Sequence, residues 1–469
     1  MWLFLSDVTD SHFRCALLID IATLFSESRM SEALINLVSA LAELVPAATQ
    51  AASTSSDSSE VWNSVAAAAR ELANSLRSRG EIDNHEIVGK TDLPFTLTSL
   101  LQASRASGDN KSAHVPPSNR TSPAYELLRV GANLCLDHDA NRGHLLAAQY
   151  PQLVLEILGS YQLRLSESQQ SQGSSDGDGA SILSVDDLKI IKTAFGVLLN
   201  ASMEYRPVRS KLVSLQAPAI ILRLTSVIYP AGLWRKASSG APPEVLSDTW
   251  AWRAGLAEWS WRALEVLKDH EDDIQWDPAA LLNLINSLDA FIPPHHTPTP
   301  AFVANNAILR KILINHDVET LQHISVQIES LTNDEEQVRA LLVNPAGNSS
   351  VPTGGDPNTP LVRLLGFVER GAPPSYWNNE PESERTGWER TFGYCKGAII
   401  KGIVAVADED PHTGVLWGPS EADGGWFVKR MINWIKDYPV SVSAVTDDER
   451  DDLVICATLC LANLARRGT

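Results

Sequence analysis

Apolar positions between residues 125 and 158, in YELLRVGANLCLDHDANRGHLLAAQYPQLVLEIL, keep the period of a helix, stop, and resume twice. Leu127, Leu128, Gly131, Leu134 and Cys135 fall at i, i+3, i+4 and i+7 spacing, which predicts an amphipathic helix. A diverged copy, IIKTAFGVLLNASMEYRPVRSKLVSLQAPAIILRL, begins at Ile190. A shift of 67 positions, the separation of Asn133 and Asn200, also puts Arg142 on Arg209, Leu145 on Leu212, Gln149 on Gln216, Pro151 on Pro218 and Leu155 on Leu222. In the copy, Ile190, Ile191, Ala194, Val197, Leu198 and Ala201 repeat the apolar spacing. Asp137, Asp139 and Asn141, or Tyr205, Arg206 and Pro207, end the first helix; a short helix around Leu145 or Leu212 follows, and Pro151 or Pro218 marks the next break. Such a group of helices cannot bury its own apolar face, so neighbours must stack on it.

A weaker third copy lies upstream. A shift of 57 places Asn84 on Asn141, Val88 on Leu145, Pro94 on Pro151, Leu97 on Val154 and Leu101 on Leu158, with Asn74 near the place of Asn133. Both shifts exceed the roughly 40 to 47 residues of an armadillo or HEAT repeat, and polar insertions explain the excess. The insertions are Ser104 to Ser122 and Ser166 to Ser181, both without apolar periodicity and expected to be disordered loops. The repeats occupy 61–228.

Before them, residues 1–60 read as N-terminal helices over 11–45, with Pro46 stopping the second and a Ser and Ala loop from Ala47 to Ser59. After them, Pro230, Gly232, Gly240, Pro242 and Pro243 predict a long linker, and 229–343 reads as degenerate helical repeats rich in tryptophan. In TWAWRAGLAEWSWRALEVL, Trp252, Leu256, Trp259 and Ala263 share one helical face and Trp250, Ala254 and Trp261 an adjoining one, a surface suited to packing between helices. Helices are expected at 278–291 and, two or three of them, at 301–343. The adjacent His295 and His296 would point in opposite directions in an extended segment, which disfavours a metal site. Residues 344–387 read as mostly disordered loops around a short helix at 360–369, and 388–469 as armadillo-like helices. The last, ending in L-A-N-L-A-R, stops before the Pro-led helix that would complete a unit, which points to a truncated chain or a capping repeat.

With 44% hydrophobic residues the chain supports a large core. Its opening residues are apolar for five positions before Asp7, Asp10 and Arg14, so no signal peptide or membrane span is expected and the location is taken as cytoplasmic. Of five cysteines, Cys15, Cys135 and Cys395 stand alone and Cys456 and Cys460 are one helical turn apart, a set that reads as buried thiols rather than disulfides or a zinc site. Fifty-seven acidic and 38 basic residues give a formal charge of −19, which repels nucleic acid and anionic membranes and attracts basic partners. No phosphate-binding loop, dinucleotide turn, nucleophile elbow or zincin helix occurs, so no enzymatic chemistry, cofactor or metal is expected.

The remaining candidates are asparagines. Asn133 and Asn200 lie near the ends of apolar helices, each with a carboxylate one turn on, Asp137 and Glu204, expected on the same side; Asn463 occupies the matching place in the last helix. An asparagine side chain can hold the backbone of an extended partner, or hydrogen-bond the neighbouring repeat and order the stack. The carboxylates favour a partner with Lys or Arg.

These residues resemble armadillo repeats, in which an L-x-N-L asparagine recurs. Within that superfamily, ELLRVGANLCLDHDANRGHLL, VLLNASMEYRPVRSKLV and ICATLCLANLARR resemble SmgGDS-type guanine nucleotide dissociation stimulators, particularly fungal ones. Asn133, Cys135, Asp137, Asp139, Asn141 and Arg142 match one repeat form of that family; Asn200, Ser202, Tyr205, Pro207 and Arg209 match the other, with Arg206 where an acidic residue is usual. The resemblance implies an all-α, armadillo/HEAT-like right-handed superhelical solenoid, without cofactor, that binds small GTPases of the Rho and Rap type with polybasic, prenylated tails. It further implies that the protein promotes guanine nucleotide release or escorts the GTPase, as a monomer and without inserting into membranes. The alternative is a peptide-binding scaffold or adaptor for basic segments with no exchange activity. Importin-type grooves pair each asparagine with a tryptophan one turn earlier; here Arg129 and Gly196 stand there.

Overall fold

The computed structural model describes residues 32–53, 59–77, 83–105, 115–171, 183–237, 242–268, 278–294, 299–343, 359–408, 416–417, 425–437 and 448–467. Among them every regular element is helical. The chain separates into two compact units: residues 1–173 with 183–218 and 262–273, and residues 174–182, 219–261 and 274–469.

The first unit begins with α1 (Glu32–Ser53) and α2 (Ser59–Ser75). Three-helix groups follow: α3 (Asn84–Gly89), α4 (Leu93–Arg105) and α5 (Thr121–Leu134); then α6 (Asp139–Ala147), α7 (Tyr150–Ser171) and α8 (Val185–Ser202). A further short helix, α9 (Arg206–Ser214), follows, and then α10 (Ala217–Ile228), which from residue 219 on belongs to the second unit. Helix α5 packs between α2 and α8, α3 against α6, α6 against α9, and α4 against α7, so like helices lie beside like. Leu127, Leu134, Ile191, Val197 and Leu198, which carry the sequence period, are fully buried between them.

The repeat is written into the backbone as well. Asp137 and Glu204 have φ of 50° and 55°, and Gln149 and Gln216 both have φ of 60°. Each pair is separated by the same 67 residues, and both turns of the unit therefore close through a left-handed residue. At Gly131 a Cβ would lie 2.3 Å from the Tyr150 ring, which is fully buried and donates its hydroxyl to the Leu127 carbonyl at 2.9 Å. Only a glycine lets the α7 tyrosine seat against α5.

Several boundaries differ from the sequence reading. Pro46 does not stop α1, which runs on to Ser53, so residues 47–53 of the expected Ser and Ala loop are helical. Burial of Ala48, Ala51 and Ala52 outweighs the lost proline hydrogen bond. Within the insertion expected at 104–122, Val115 to Pro117 lead into a 3-10 turn at Ser118–Arg120 and α5 starts at Thr121. The anchor is Arg120: buried, it donates to the carbonyls of Ala103 (3.4 Å) and Ala51 (3.3 Å) and sits 5.1 Å over the Trp62 ring. Helix α7 extends to Ser171, taking in the first residues of the insertion expected at 166–181; the rest of it, and the expected helices before residue 32, lie outside the described residues.

In the second unit, α14 (Ala307–Asp334) packs on α17 (Glu382–Ala407), and α17 on α19 (Asp448–Arg467). Around them lie α11 (Pro243–Lys268, to residue 261), α12 (Pro278–Asn286), α13 (Ala301–Ala304), α15 (Glu336–Val343), α16 (Pro360–Arg370) and α18 (Trp426–Lys436). Trp250, Ala254 and Trp261 of α11 are buried, Trp261 stacking on His323 with centroids 5.2 Å apart.

The expected linker after Tyr229 is an ordered corner through residue 237. Asp317, fully buried on α14, accepts from the Gly232 amide (2.9 Å), Trp234 Nε1 (2.8 Å), the Tyr229 hydroxyl (3.1 Å) and the Tyr376 hydroxyl (3.4 Å). One carboxylate thus pins the Tyr229–Lys236 corner and the 3-10 turn at Ser375–Asn379 to one helix. That is also why 371–387 is not the loop expected: Tyr376 and Trp377 are buried, and α17 already begins at Glu382. His295 and His296 lie outside the described residues.

Candidate partner-binding face

The asparagines sit where α2, α5 and α8 run side by side. A helix leaves its last four carbonyls without intrahelical partners. In α5 all four are satisfied: Gly131 by the Cys135 amide (3.3 Å), Asn133 by the Leu136 amide (3.3 Å), Leu134 by Asn141 Nδ2 (3.0 Å) and Ala132 by Asn200 Nδ2 (3.1 Å) of the next group. Asn133 Nδ2 does the same for Ala73 in the last turn of α2, at 2.7 Å. In the second unit Asn463 Nδ2 reaches the carbonyl of Val404, in the last turn of α17, at 3.3 Å. Each asparagine therefore ties its helix to an earlier one packed beside it, the stack-ordering alternative of the sequence reading.

Asn141 and Arg142, which the sequence marks only as repeat positions, are braces. Asn141 Nδ2 also donates to the His85 carbonyl (2.9 Å), and Arg142 Nε donates to the carbonyls of Cys135 (3.1 Å) and Asn200 (2.9 Å) while its guanidinium holds Asp139 at 2.7 Å. The signal available in the sequence is the match of Arg142 with Arg209.

Asp137 and Glu204 are not one turn along the same helix as their asparagines. Helices α5 and α8 end at Leu134 and Ser202, and the two carboxylates lie beyond, exposed, in the left-handed turns. Next to them Leu136 and Met203 are 41% and 36% exposed, so each turn presents an apolar side chain followed by an acid. The outer positions of α2, α5 and α8 carry a different charge: Arg70 and Arg129 both pair with the buried Glu126, Arg129 also donates to Asn74 Oδ1 (2.8 Å), and Lys189 pairs with Asp186 (2.9 Å). The face is basic or neutralised along its middle and acidic at the turns.

At the same edge Asp83 caps α3 through the Glu86 amide (3.1 Å) and lies 3.5 Å from His138 Nε2 and 3.8 Å from His85 Nδ1. Partial burial works to raise its carboxyl, but the Glu86 amide and the two imidazoles outweigh it and hold Asp83 below the usual range. The Cys135 thiol is pushed up to about 12 by burial, which removes it as a nucleophile. Cys135, Cys395, Cys456 and Cys460 are all buried and free, while Cys15 lies outside the described residues. No group of three or more His, Cys, Asp or Glu side chains among the described residues is placed to hold a metal ion. Two helical stretches, 32–53 and 217–236, are long and apolar enough by composition to cross a bilayer; 56% of the second is buried within the fold.

The sequence matches no family model and no curated protein.

Proposed function

We propose that the chain is an armadillo-type right-handed superhelical scaffold that binds a protein partner along the α2, α5 and α8 face, acting by binding rather than by bond chemistry. The observation that carries the proposal is the repeated pair of exposed turns, Leu136 with Asp137 and Met203 with Glu204, set out at one repeat interval. Such spacing suits an extended segment in which basic and apolar side chains recur. The formal charge of −19 favours encounter with a basic partner. Together with the SmgGDS-like motifs, this leads us to a small GTPase of the Rho or Rap type, whose polybasic tail would run along the acidic turns rather than over Arg70, Arg129 and Lys189.

To promote nucleotide release in the cytoplasm, the scaffold would have to bind the nucleotide-free GTPase more tightly than the loaded form, each 1.4 kcal/mol shifting the equilibrium about tenfold. GDP release from a panel of purified Rho and Rap type GTPases tests this. Faster release, or tight binding only when nucleotide is absent, is expected; neither, with any of them, removes the exchange reading. A second reading, a scaffold or adaptor for basic segments without exchange activity, rests on the same acidic turns and the formal charge of −19. Recovery of basic peptides but no GTPase in a pull-down would favour it.

A further inference from the structure

The repeat shift that lays Asn133 on Asn200 also lays Asp139 and Arg142 of α6 on Arg206 and Arg209 of α9, and the turns before both helices share a left-handed residue. The charges do not repeat. In α6 the Asp139 carboxylate holds the Arg142 guanidinium at 2.7 Å, and the His138 side chain caps the helix. In α9 the place of that carboxylate is taken by Arg206, the first turn contains no acid, and Tyr205 supplies no side-chain cap. Like charges at i and i+3 repel each other, and the positive end of the helix adds to the repulsion. Neither guanidinium is relieved: among the described residues Arg206 and Arg209 have no side-chain hydrogen bond, ion pair or ring contact. The Nε of Arg209 is buried with no hydrogen-bond partner, a donor that calls for an acceptor. Although the chain carries a formal charge of −19, no described Asp or Glu pairs with these two cations.

We propose that Arg206 and Arg209 dock a carboxylate side chain from an acidic segment of a protein partner, which takes the place that Asp139 fills within the preceding repeat. The guanidinium fork matches a carboxylate through paired bonds, which favours this occupant. Arg206 is exposed and gives access, while Arg209 is half-buried and fixed in position. With Glu204 just before them, the second repeat offers an acid and then two unspent cations, whereas in the first Asp139 is already spent on Arg142. The site stands on α9 alone and does not rest on the occupation of the acidic turns.

Fluorescence anisotropy of the full chain with a labelled Glu-rich peptide, and with the same peptide carrying Gln for every Glu, tests this. Saturable, salt-sensitive binding of the Glu peptide and none of the Gln peptide is expected. Arg206→Gln, at an exposed position where folding is safe, should weaken the Glu peptide roughly tenfold by removing one charge-assisted contact. Arg206→Lys should keep most of the affinity. Arg206→Asp supplies the carboxylate from within, as α6 does, so it should abolish peptide binding and raise the urea midpoint of unfolding. No saturable binding, equal binding of the Glu and Gln peptides, or an affinity untouched by Arg206→Asp overturns the site. Binding that emerges only after Asp272→Asn and Asp273→Asn overturns it as well, in favour of the chain's own acidic run as the occupant.

Discussion

Asn200 donates its side-chain amide to the carbonyl of Ala132, the residue immediately before Asn133, and Asn133 donates in turn to Ala73, immediately before Asn74. The row is a ladder that supplies helix ends with the donors they lack. Asn133→Ala should lower stability by about 1 kcal/mol, the worth of a typical internal hydrogen bond. Asn133→Asp should cost more, because it turns a carboxylate oxygen toward a carbonyl. Urea denaturation of the three proteins checks the order; an alanine variant as stable as wild type would mean that the ladder orders nothing.

The left-handed turns allow a test in the opposite direction. A non-glycine residue in that region is held against its preference by roughly 1 to 2 kcal/mol, part of which glycine returns through its larger unfolded-state entropy. Gln149→Gly and Gln216→Gly, at exposed positions, should each stabilise the protein by about 0.5 to 1 kcal/mol. Gln149→Ala should not. If the glycine and alanine variants unfold alike, the turn conformation is not the source of the effect.

Two glycines should respond with opposite signs to the same change. Gly131→Ala drives a methyl into the buried Tyr150 ring and should cost about 1 to 3 kcal/mol, as overpacking does. Gly393 lies exposed inside α17, and a methyl added there would meet nothing within 4 Å, so Gly393→Ala should stabilise by roughly 0.5 to 1 kcal/mol through helix propensity. Chemical denaturation of both variants measures the contrast.

The repeat is legible because its punctuation is: Pro151 and Pro218 in the first turns of α7 and α10, Gln149 and Gln216 at the turns before them, and Leu145 and Leu212 buried between. Helical period locates α5 and α8 but not where they end, so it assigns Asp137 and Glu204 to helices they do not belong to. Pro46 and the Pro, Asn and Glu stretch before Trp388 mislead for one reason: local signals favour a break, and burial of alanines or of Tyr376 and Trp377 overrides them. The Asp317 cluster has no local signal at all. Its partners are 59 residues away at Tyr376 and 88 at Tyr229, and only the fold brings them together.

If a basic segment lies along the acidic turns, its binding should weaken steeply with salt, since exposed charges are screened over about 8 Å at physiological ionic strength. Asp137→Asn alone should do little, because an exposed pair contributes roughly 0 to 1 kcal/mol. Asp137→Lys combined with Glu204→Lys replaces attraction by repulsion at two turns and should reduce affinity about tenfold or more, with helix content unchanged. Titration of a labelled polybasic peptide at several salt concentrations reads both effects, and an affinity flat in salt and indifferent to the double substitution would sink the acidic-turn proposal.

Asp317 makes stability depend on pH in a direction opposite to that of a salt-bridged carboxylate. Burial pushes its carboxyl up from 3.8 to about 6 and prevails over the four hydrogen bonds that favour the charged form. The folded state therefore holds this proton more tightly than the unfolded one, and the contribution of the group is greatest below 3.8 and declines as pH rises through about 6. The two values correspond to at most about 3 kcal/mol. Asp83 and Glu319 act in the other direction: Asp83 is held low by the Glu86 amide and two imidazoles despite its burial, and Glu319 by its hydrogen bond to His316. Both are present in wild type and in Asp317→Asn alike, so the difference between those two proteins isolates Asp317. Measured by urea denaturation from about pH 4.5 to 7.5, the stability of wild type relative to Asp317→Asn should fall with rising pH and level off above about 7. A difference that stays constant, or that grows with pH, would mean that Asp317 is ionised throughout and that its four donors, not its burial, set its charge.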